Sequence, residues 1–385
     1  MTRPLAVIFL TILVNLIGFG IIVPLLPFYA QTFGASPVQI GLLFASFSIS
    51  QLFASPVLGE WSDRWGRRPV LIFSLLGTVV SFTMLALARS LTMLFVARII
   101  DGLSGGNITT ARAYIGDVTD ESNRARAFGM LGAAFGLGFI IGPALGGLFA
   151  KISYTAPIWA AAAITVVATV LAWLWLPETV HRVHAVAASP WRALADLGTR
   201  PGLRTLLAVD FLYWMCFAIY QGTFALFGER RFHFTVTEIG YILAAFGALG
   251  VVVQGALVAP IVRALGERRT LTTGLILAAA GWGGSALSYH VWFFIAMLVP
   301  GALGVGLCNP SLISLLSGAA GRREQGRVQG AAGALESLGR TIGPMWGNSA
   351  LQWWGEGSAY ASAAAVLVAT AALSVRYRVV SGLKS

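Results

Sequence analysis

GMLGAAFGLGFIIGPALGG at residues 129–147 and GAAGALESLGRTIGPMWGN at residues 330–348 are one passage written twice. Gly129, Gly132, Gly138, Gly142 and Pro143 recur as Gly330, Gly333, Gly339, Gly343 and Pro344. The offset is a constant 201 positions, about half of the 385-residue chain, so the protein reads as a duplicated unit. The copies differ in charge: Phe135 and Phe139 of the first become Glu336 and Arg340 in the second.

Outward from this pair, the chain is 57% hydrophobic and only 11% charged, with a mean hydropathy of +0.79. A soluble domain carries roughly a quarter charged residues. Apolar runs recur, each near the ~20 residues that cross a bilayer as a helix. Twelve spans are expected, at 5–29, 38–58, 69–88, 92–113, 125–149, 156–176, 203–227, 237–262, 270–289, 291–316, 327–350 and 358–377. Helices are the form that satisfies the backbone in lipid. The N-terminal run continues through Pro27, too long for a signal peptide, and reads as a retained first helix.

The formal charge of +11 is carried between the apolar runs, which argues for a solvated, orientation-setting role and against a nucleic-acid surface. With the N-terminus inside, twenty of the 26 basic residues fall in inner segments, among them Arg182, Arg192, Arg322, Arg323, Arg378 and Lys384. Arg89, Lys151, Arg230 and Arg231 fall outside. Both termini are therefore expected in the cytoplasm. Residues 177–202 form the longest polar break. They divide the chain into a six-helix bundle over 1–176, a cytoplasmic central loop over 177–202 and a second bundle over 203–385. Two halves of like orientation imply a pseudo-twofold axis along the membrane normal and a cavity at their interface near the midplane. One chain then supplies a complete pathway and is expected to act as a monomer.

Charged groups inside spans are costly and usually functional. They are Arg98 and Asp101 at i,i+3 in span four, Asp210 in span seven, and Glu336 and Arg340 at i,i+4 in span eleven. The plain alternative is that each pair neutralises itself and fixes helix packing. The functional reading is proton coupling, because desolvation and a nearby cation pull a carboxyl in opposite directions and cargo or proton arrival changes the balance. Asp101 beside Arg98 is the first choice of carrier. Asp210, without an in-helix partner and near the cytosolic end, is the second, and snorkelling is its plain alternative.

Amides in hydrocarbon need partners, so Asn15, Gln51, Gln221, Gln254 and Asn309 are candidate cargo contacts, with Phe19, Phe47, Phe135 and Tyr213 supplying an apolar and aromatic lining. Further aromatic candidates are Phe44, Phe139, Trp214, Tyr220, Phe246 and Trp282. Cys216 and Cys308 lie in apolar runs and form no disulfide framework. His181, His184, His233 and His290 make no metal spacing, no phosphate loop follows a strand, and no catalytic constellation occurs. The expectation is a protein that is not an enzyme and takes no cofactor and no metal.

GEWSDRWGRRP at 59–69 joins spans two and three, and Gly66 recurs as Gly266 in LGERRTL after span eight. The string resembles the signature loop of the major facilitator superfamily. VNLIGFGIIVPLLP (14–27), ARIIDGLSGGN (97–107), AYIGDVTD (113–120) and GFIIGPALGG (138–147) are similar to the superfamily's drug:proton antiporters, the tetracycline-efflux-like group above all. The resemblance covers essentially the whole chain. It implies the major facilitator fold, all-α with twelve transmembrane helices in two six-helix bundles, in a bacterial inner membrane. It also implies alternating access, with small hydrophobic or cationic drug-like compounds exported in exchange for protons. Asp63, Arg64, Arg67 and Asp117 would form a cytosolic gate. Gly138, Gly142, Pro143, Gly343 and Pro344 would form a hinge, where close packing without coupling is the alternative. One departure stands out: the group carries an acid in span one where this chain has Asn15. The same fold moving a sugar, metabolite or lipid, including by uniport, and a non-transporting membrane sensor are the rival readings.

Overall fold

A computed structural model describes residues 3–105, 107–119, 121–179, 196–319 and 324–376. Most of the central loop, with His181, Arg182, His184 and Arg192, lies outside the described residues. So do Arg322, Arg323, Arg378 and Lys384.

Every expected span coincides with helix. In chain order these are α1 (Arg3–Gln31), α2 (Pro37–Trp65), α3 (Arg67–Ala86), α4 (Leu91–Ser104), α5 (Asn107–Asp117), α6 (Glu121–Phe149) and α7 (Ala156–Trp175). There follow α8 (Pro201–Phe232), α9 (Val236–Val252), α10 (Val258–Leu265), α11 (Glu267–Ala286), α12 (Val291–Ala319), α13 (Gln325–Trp354) and α14 (Ser358–Arg376). Among the described residues, nine helices are long and apolar enough to cross a membrane. The spans beginning near 92, 270 and 327 fall short of that measure for local reasons. The first is broken, α11 opens on Glu267, Arg268 and Arg269, and α13 carries Glu336 and Arg340.

Two spans depart from a plain helix. Span four divides into α4 and α5 after Gly105, and the Gln51 side chain donates to the Gly105 carbonyl at 2.9 Å. A polar side chain thus takes the place of the interrupted ladder. Span eight runs through a π-helical turn, Val253–Leu257, between α9 and α10. Pro260 three residues beyond has no N–H for the ladder, a common setting for such a turn.

The chain divides into two compact units, Met1–Ala187 with His233–Ala245, and Ala188–Phe232 with Phe246–Ser385. In the first unit an apolar cluster of Ile8, Ile12, Leu71, Tyr114, Leu131 and their neighbours joins α1, α3, α5 and α6. In the second, Leu203, Leu206, Leu207, Leu316, Val328 and Ala331 join α8, α12 and α13. An aromatic stack built on Tyr220, parallel to Trp282 at 5.1 Å and against Tyr360 and Phe246, fills the second core. Trp282 is 1% exposed and Cys216 and Cys308 are fully buried, so all three are packing residues.

Candidate functional site

The repeated glycine passage does the same work in both units. In the first, α6 lies backbone to backbone on α1. A Cβ at Gly142 would sit 2.7 Å from both the Gly20 Cα and the Ile17 carbonyl oxygen, and one at Gly20 would sit 3.0 Å from Pro143. In the second, α13 lies on α8. A Cβ at Gly339 would be 2.8 Å from the Met215 nitrogen, and one at Gly222 would be 2.9 Å from Pro344. Small residues allow this approach without a hydrophobic driving force between helices in lipid. Gly20 and Gly222 supply the facing glycines on α1 and α8, one position out of register with the 201-residue repeat. Beyond the proline the copies diverge. The Gly147 carbonyl accepts from the Thr237 hydroxyl at 2.8 Å, which ties α6 to the start of α9. Asn348, its counterpart, turns inward and donates to the Pro344 and Gly222 carbonyls.

Arg98 and Asp101 form a closed ion pair. The Arg98 Nη1 donates to Asp101 Oδ2 at 2.8 Å, and the residues are 1% and 7% exposed. Thr78 on α3 hydrogen-bonds to the same carboxylate, and the Arg98 guanidinium lies 4.3 Å above the Phe47 ring. Phe47 leads to Phe19 at 6.1 Å, and Phe19 to Phe139 at 6.2 Å, so rings connect the pair to α6. Phe135 packs instead on the apolar cluster of α1, α5 and α6. Asn15, like Phe19, is half-buried on α1.

The second unit brings Asp210 to the Glu336–Arg340 pair, from which the sequence keeps it apart. Asp210 on α8 is 2% exposed and does not snorkel: its Oδ2 is buried and has no donor among the described residues. Among the described residues its electrostatic neighbours are Glu336 and Arg340 of α13. Those two pair at 3.1 Å, half-buried, and the Arg340 guanidinium lies 4.7 Å above the Trp214 ring. Tyr213 is buried and its hydroxyl donates to the Val305 carbonyl at 3.5 Å. Gln221 and Asn309 are half-buried, and Gln254 is exposed on the π turn. No periodicity signals that α8 turns Asp210 toward α13, since facing positions on different helices depend on helix rotation.

At the loop between α2 and α3, Arg67 is the centre. It pairs with Asp63, with Asp117 through Nε at 3.1 Å, and with the Ser62 hydroxyl at 3.1 Å. Arg64 points elsewhere, to Glu60 at 2.6 Å on the surface. Glu178, just past α7, accepts from the Arg67 and Arg68 backbone amides at 2.9 and 3.2 Å. A carboxylate there satisfies orphan donors and meets the positive end of α3. Gly66 at φ 111° makes room, because an added Cβ would strike that carboxylate. The sequence offers no signal for Glu178, which lies 111 residues from Arg67. In the second unit the corresponding loop differs: Glu267 accepts from the Ser314 hydroxyl. Elsewhere in that unit, Arg200 clamps Glu324 with two bonds at 2.7 and 2.9 Å. Those bonds hold the Glu324 carboxyl below its ordinary value and raise Arg200.

The family model of the Major Facilitator Superfamily matches residues 8–344 and 231–383. The chain is 36% identical over 353 residues to the tetracycline resistance protein, class G, of Vibrio anguillarum, covering 89% of each. It is 32% identical over 349 residues to multidrug resistance protein 2 of Bacillus subtilis, covering 87% of this chain and 86% of that one. Among solved structures it is similar to the human organic anion transporter, with a TM-score of 0.76, 25% identity and coverage of 97% and 99%. A nucleoside transporter at 13% identity and a TM-score of 0.81 shares the fold. Apolar helices of spanning length, a glycine seam repeated in both units and the Asp63–Arg67–Asp117 loop network agree with these matches: the chain is a multi-pass membrane protein and belongs to the major facilitator superfamily.

Proposed function

We propose that this protein exports small lipophilic compounds, cationic ones among them, in exchange for protons by alternating access. Its place is a bacterial inner membrane with both termini in the cytoplasm. The printed names of the relatives, tetracycline and multidrug resistance proteins, support the cargo class.

The observation that carries proton coupling is Asp210, buried at 2% exposure with an oxygen that no donor among the described residues reaches, and with the Glu336–Arg340 pair as its electrostatic neighbour. An ionised carboxylate in such a place is strongly disfavoured unless a cation comes to it. The group therefore trades a proton against a cation, which is what an exchanger requires. Asp101 is the sequence's first choice, but its carboxylate already holds Arg98 and Thr78. In this reading that pair fixes α4 and connects through Phe47, Phe19 and Phe139 to the α1–α6 seam. Asn15, Phe19, Phe47, Tyr213, Gln221, Gln254 and Asn309 meet cargo along the path. Gln51 and Phe135 hold backbone and core. Asp63, Arg67 and Asp117 form the latch, with Arg64 at its rim. The Gly138–Gly142–Pro143 and Gly343–Pro344 segments are the seams on which helices shift. The halves, 1–176 and 203–385 joined by 177–202, work within a single chain.

Inverted vesicles test the proposal. Respiration acidifies their interior, and addition of drug releases that gradient if protons leave as drug enters. The wild type is expected to release it, and Asp210→Asn is expected to lose both proton release and drug accumulation. Undiminished release in Asp210→Asn overturns the assignment.

A further inference from the structure

The surroundings of Arg340 form a cation-binding corner that the protein fills with its own cation. Trp214 presents a face, and Tyr213 and Phe217, stacked on each other at 6.4 Å, each lie 5.7 Å from it, Phe217 perpendicular to it. Glu336 supplies a carboxylate. An aromatic face beside a carboxylate is the recognition chemistry of organic cations. The Arg340 guanidinium sits over that face at 4.7 Å and bonds Glu336 at 3.1 Å, yet its Nε is buried without an acceptor. Asp210 lies beside them with an unused, buried oxygen. One cation thus has two carboxyl groups as electrostatic neighbours and bonds one of them.

We infer that this corner binds a lipophilic organic cation, which displaces Arg340 from Trp214 and Glu336 onto Asp210 and so expels the Asp210 proton. The inference rests on the exporter reading and adds to it the cargo's charge, its seat and the coupling step. The charges balance. Before the exchange Glu336 is negative, Arg340 positive and Asp210 a neutral acid. Afterwards the cargo cation neutralises Glu336, Arg340 neutralises the Asp210 carboxylate, and the O–H proton of Asp210 has passed to water. The site is neutral in both states, which is the arrangement a low-dielectric interior permits. Among the described residues, the Tyr213 hydroxyl on α8 is a further titratable neighbour of Asp210, and Tyr213 in turn neighbours the Cys308 thiol on α12. α14 brings Tyr360, whose ring packs tilted against Tyr220 and Phe227. None of these is a cation that could replace Arg340. A neutral lipophilic compound cannot take over its charge at Glu336 and leaves the proton in place.

The test uses the purified full-length protein in weakly buffered detergent near neutral pH, with tetraphenylphosphonium as the cation and triphenylphosphine oxide as the neutral probe. Binding is followed by tryptophan fluorescence and proton release by a pH dye. The wild type is expected to release about one proton per phosphonium bound and none with the oxide, because only the cation frees Arg340 to hold Asp210 ionised. Asp210→Asn is expected to release no proton and to bind phosphonium more weakly than the wild type, because the displaced Arg340 then has no carboxylate to neutralise it. Trp214→Leu is expected to weaken phosphonium binding about tenfold, the loss of one desolvated cation–π contact, while Trp214→Phe keeps most of it. Equal proton release in Asp210→Asn overturns the inference. So does unchanged binding in Trp214→Leu and Glu336→Gln. Drug export by wild-type vesicles without proton release on phosphonium binding overturns the exchange and leaves the exporter standing. Proton release on binding without export in vesicles overturns the exporter and leaves the site.

Discussion

Replacing Asp101 by leucine separates the energetic role of the Arg98–Asp101 pair from any other. Arg98 is 1% exposed, donates to Asp101 at 2.8 Å, faces the Phe47 ring at 4.3 Å, and has a buried Nε without an acceptor. Removing the carboxylate leaves a buried guanidinium with only its ring contact, worth about 0.5–2 kcal/mol. Coulomb's law at an effective dielectric constant of 20 gives an attraction of about 4 kcal/mol at ~4 Å between charge centres. Breaking one side of a buried pair destabilises by about 3–5 kcal/mol. Asp101→Leu is therefore expected to lose that amount. The double variant Arg98→Met, Asp101→Leu removes both charges and is expected to lie between neutral and a gain of about 1–4 kcal/mol. Thr78 loses its acceptor in both variants, so that term cancels in their comparison. The assay is the half-time of thermal inactivation in detergent at fixed temperature, because membrane proteins of this size unfold irreversibly and a rate is the well-defined quantity. The reasoning fails if Asp101→Leu is as long-lived as the wild type, or if the double variant is shorter-lived than the single one. Either result means that Arg98 is solvated without its partner.

The helix seam gives a second prediction. Gly142→Val places its Cβ 2.7 Å from the backbone of α1, which cannot move aside, whereas Gly129 has open space around it. Gly142→Val is expected to lose about 1–3 kcal/mol and Gly129→Ala to be neutral, in the same inactivation assay. The Arg200–Glu324 clamp gives a third. Its folded carboxyl is depressed below the ordinary value of 4.5, so the stabilisation is fully present above that value and lost as pH falls through the lower, folded one. Glu324→Gln is therefore expected to be less stable than the wild type at neutral pH and to converge with it only below pH 4.5. A constant difference across that range contradicts the clamp.

Much of the fold was legible because the relevant signals are local. Apolar runs near helix-spanning length and basic gaps between them set the spans, and i,i+3 and i,i+4 spacing was enough to pair Arg98 with Asp101 and Glu336 with Arg340. The Asp63–Arg67 bond is equally local, four residues apart. The sequence also raised Gln51 as a site residue on chemical type alone, and Arg64 through the resemblance of its loop to the family's signature. Gln51 proved to hold the Gly105 carbonyl and Arg64 to pair with Glu60, because an amide or a guanidinium binds whichever partner the packed helices bring within reach.

The sequence by itself determined a membrane-spanning helical chain built from a repeated unit, with a glycine seam in each copy and charge in the seam of the second. Those properties follow from composition and from spacing within single helices. Only the tertiary structure decided that Asp210 faces Glu336 and Arg340, that Trp214 lies under Arg340, and that Glu178 closes the start of α3. Such meetings depend on how far each helix is rotated and how it is staggered against its neighbour, and those two quantities emerge from packing side chains across α8 and α13 rather than from the order of residues along either one.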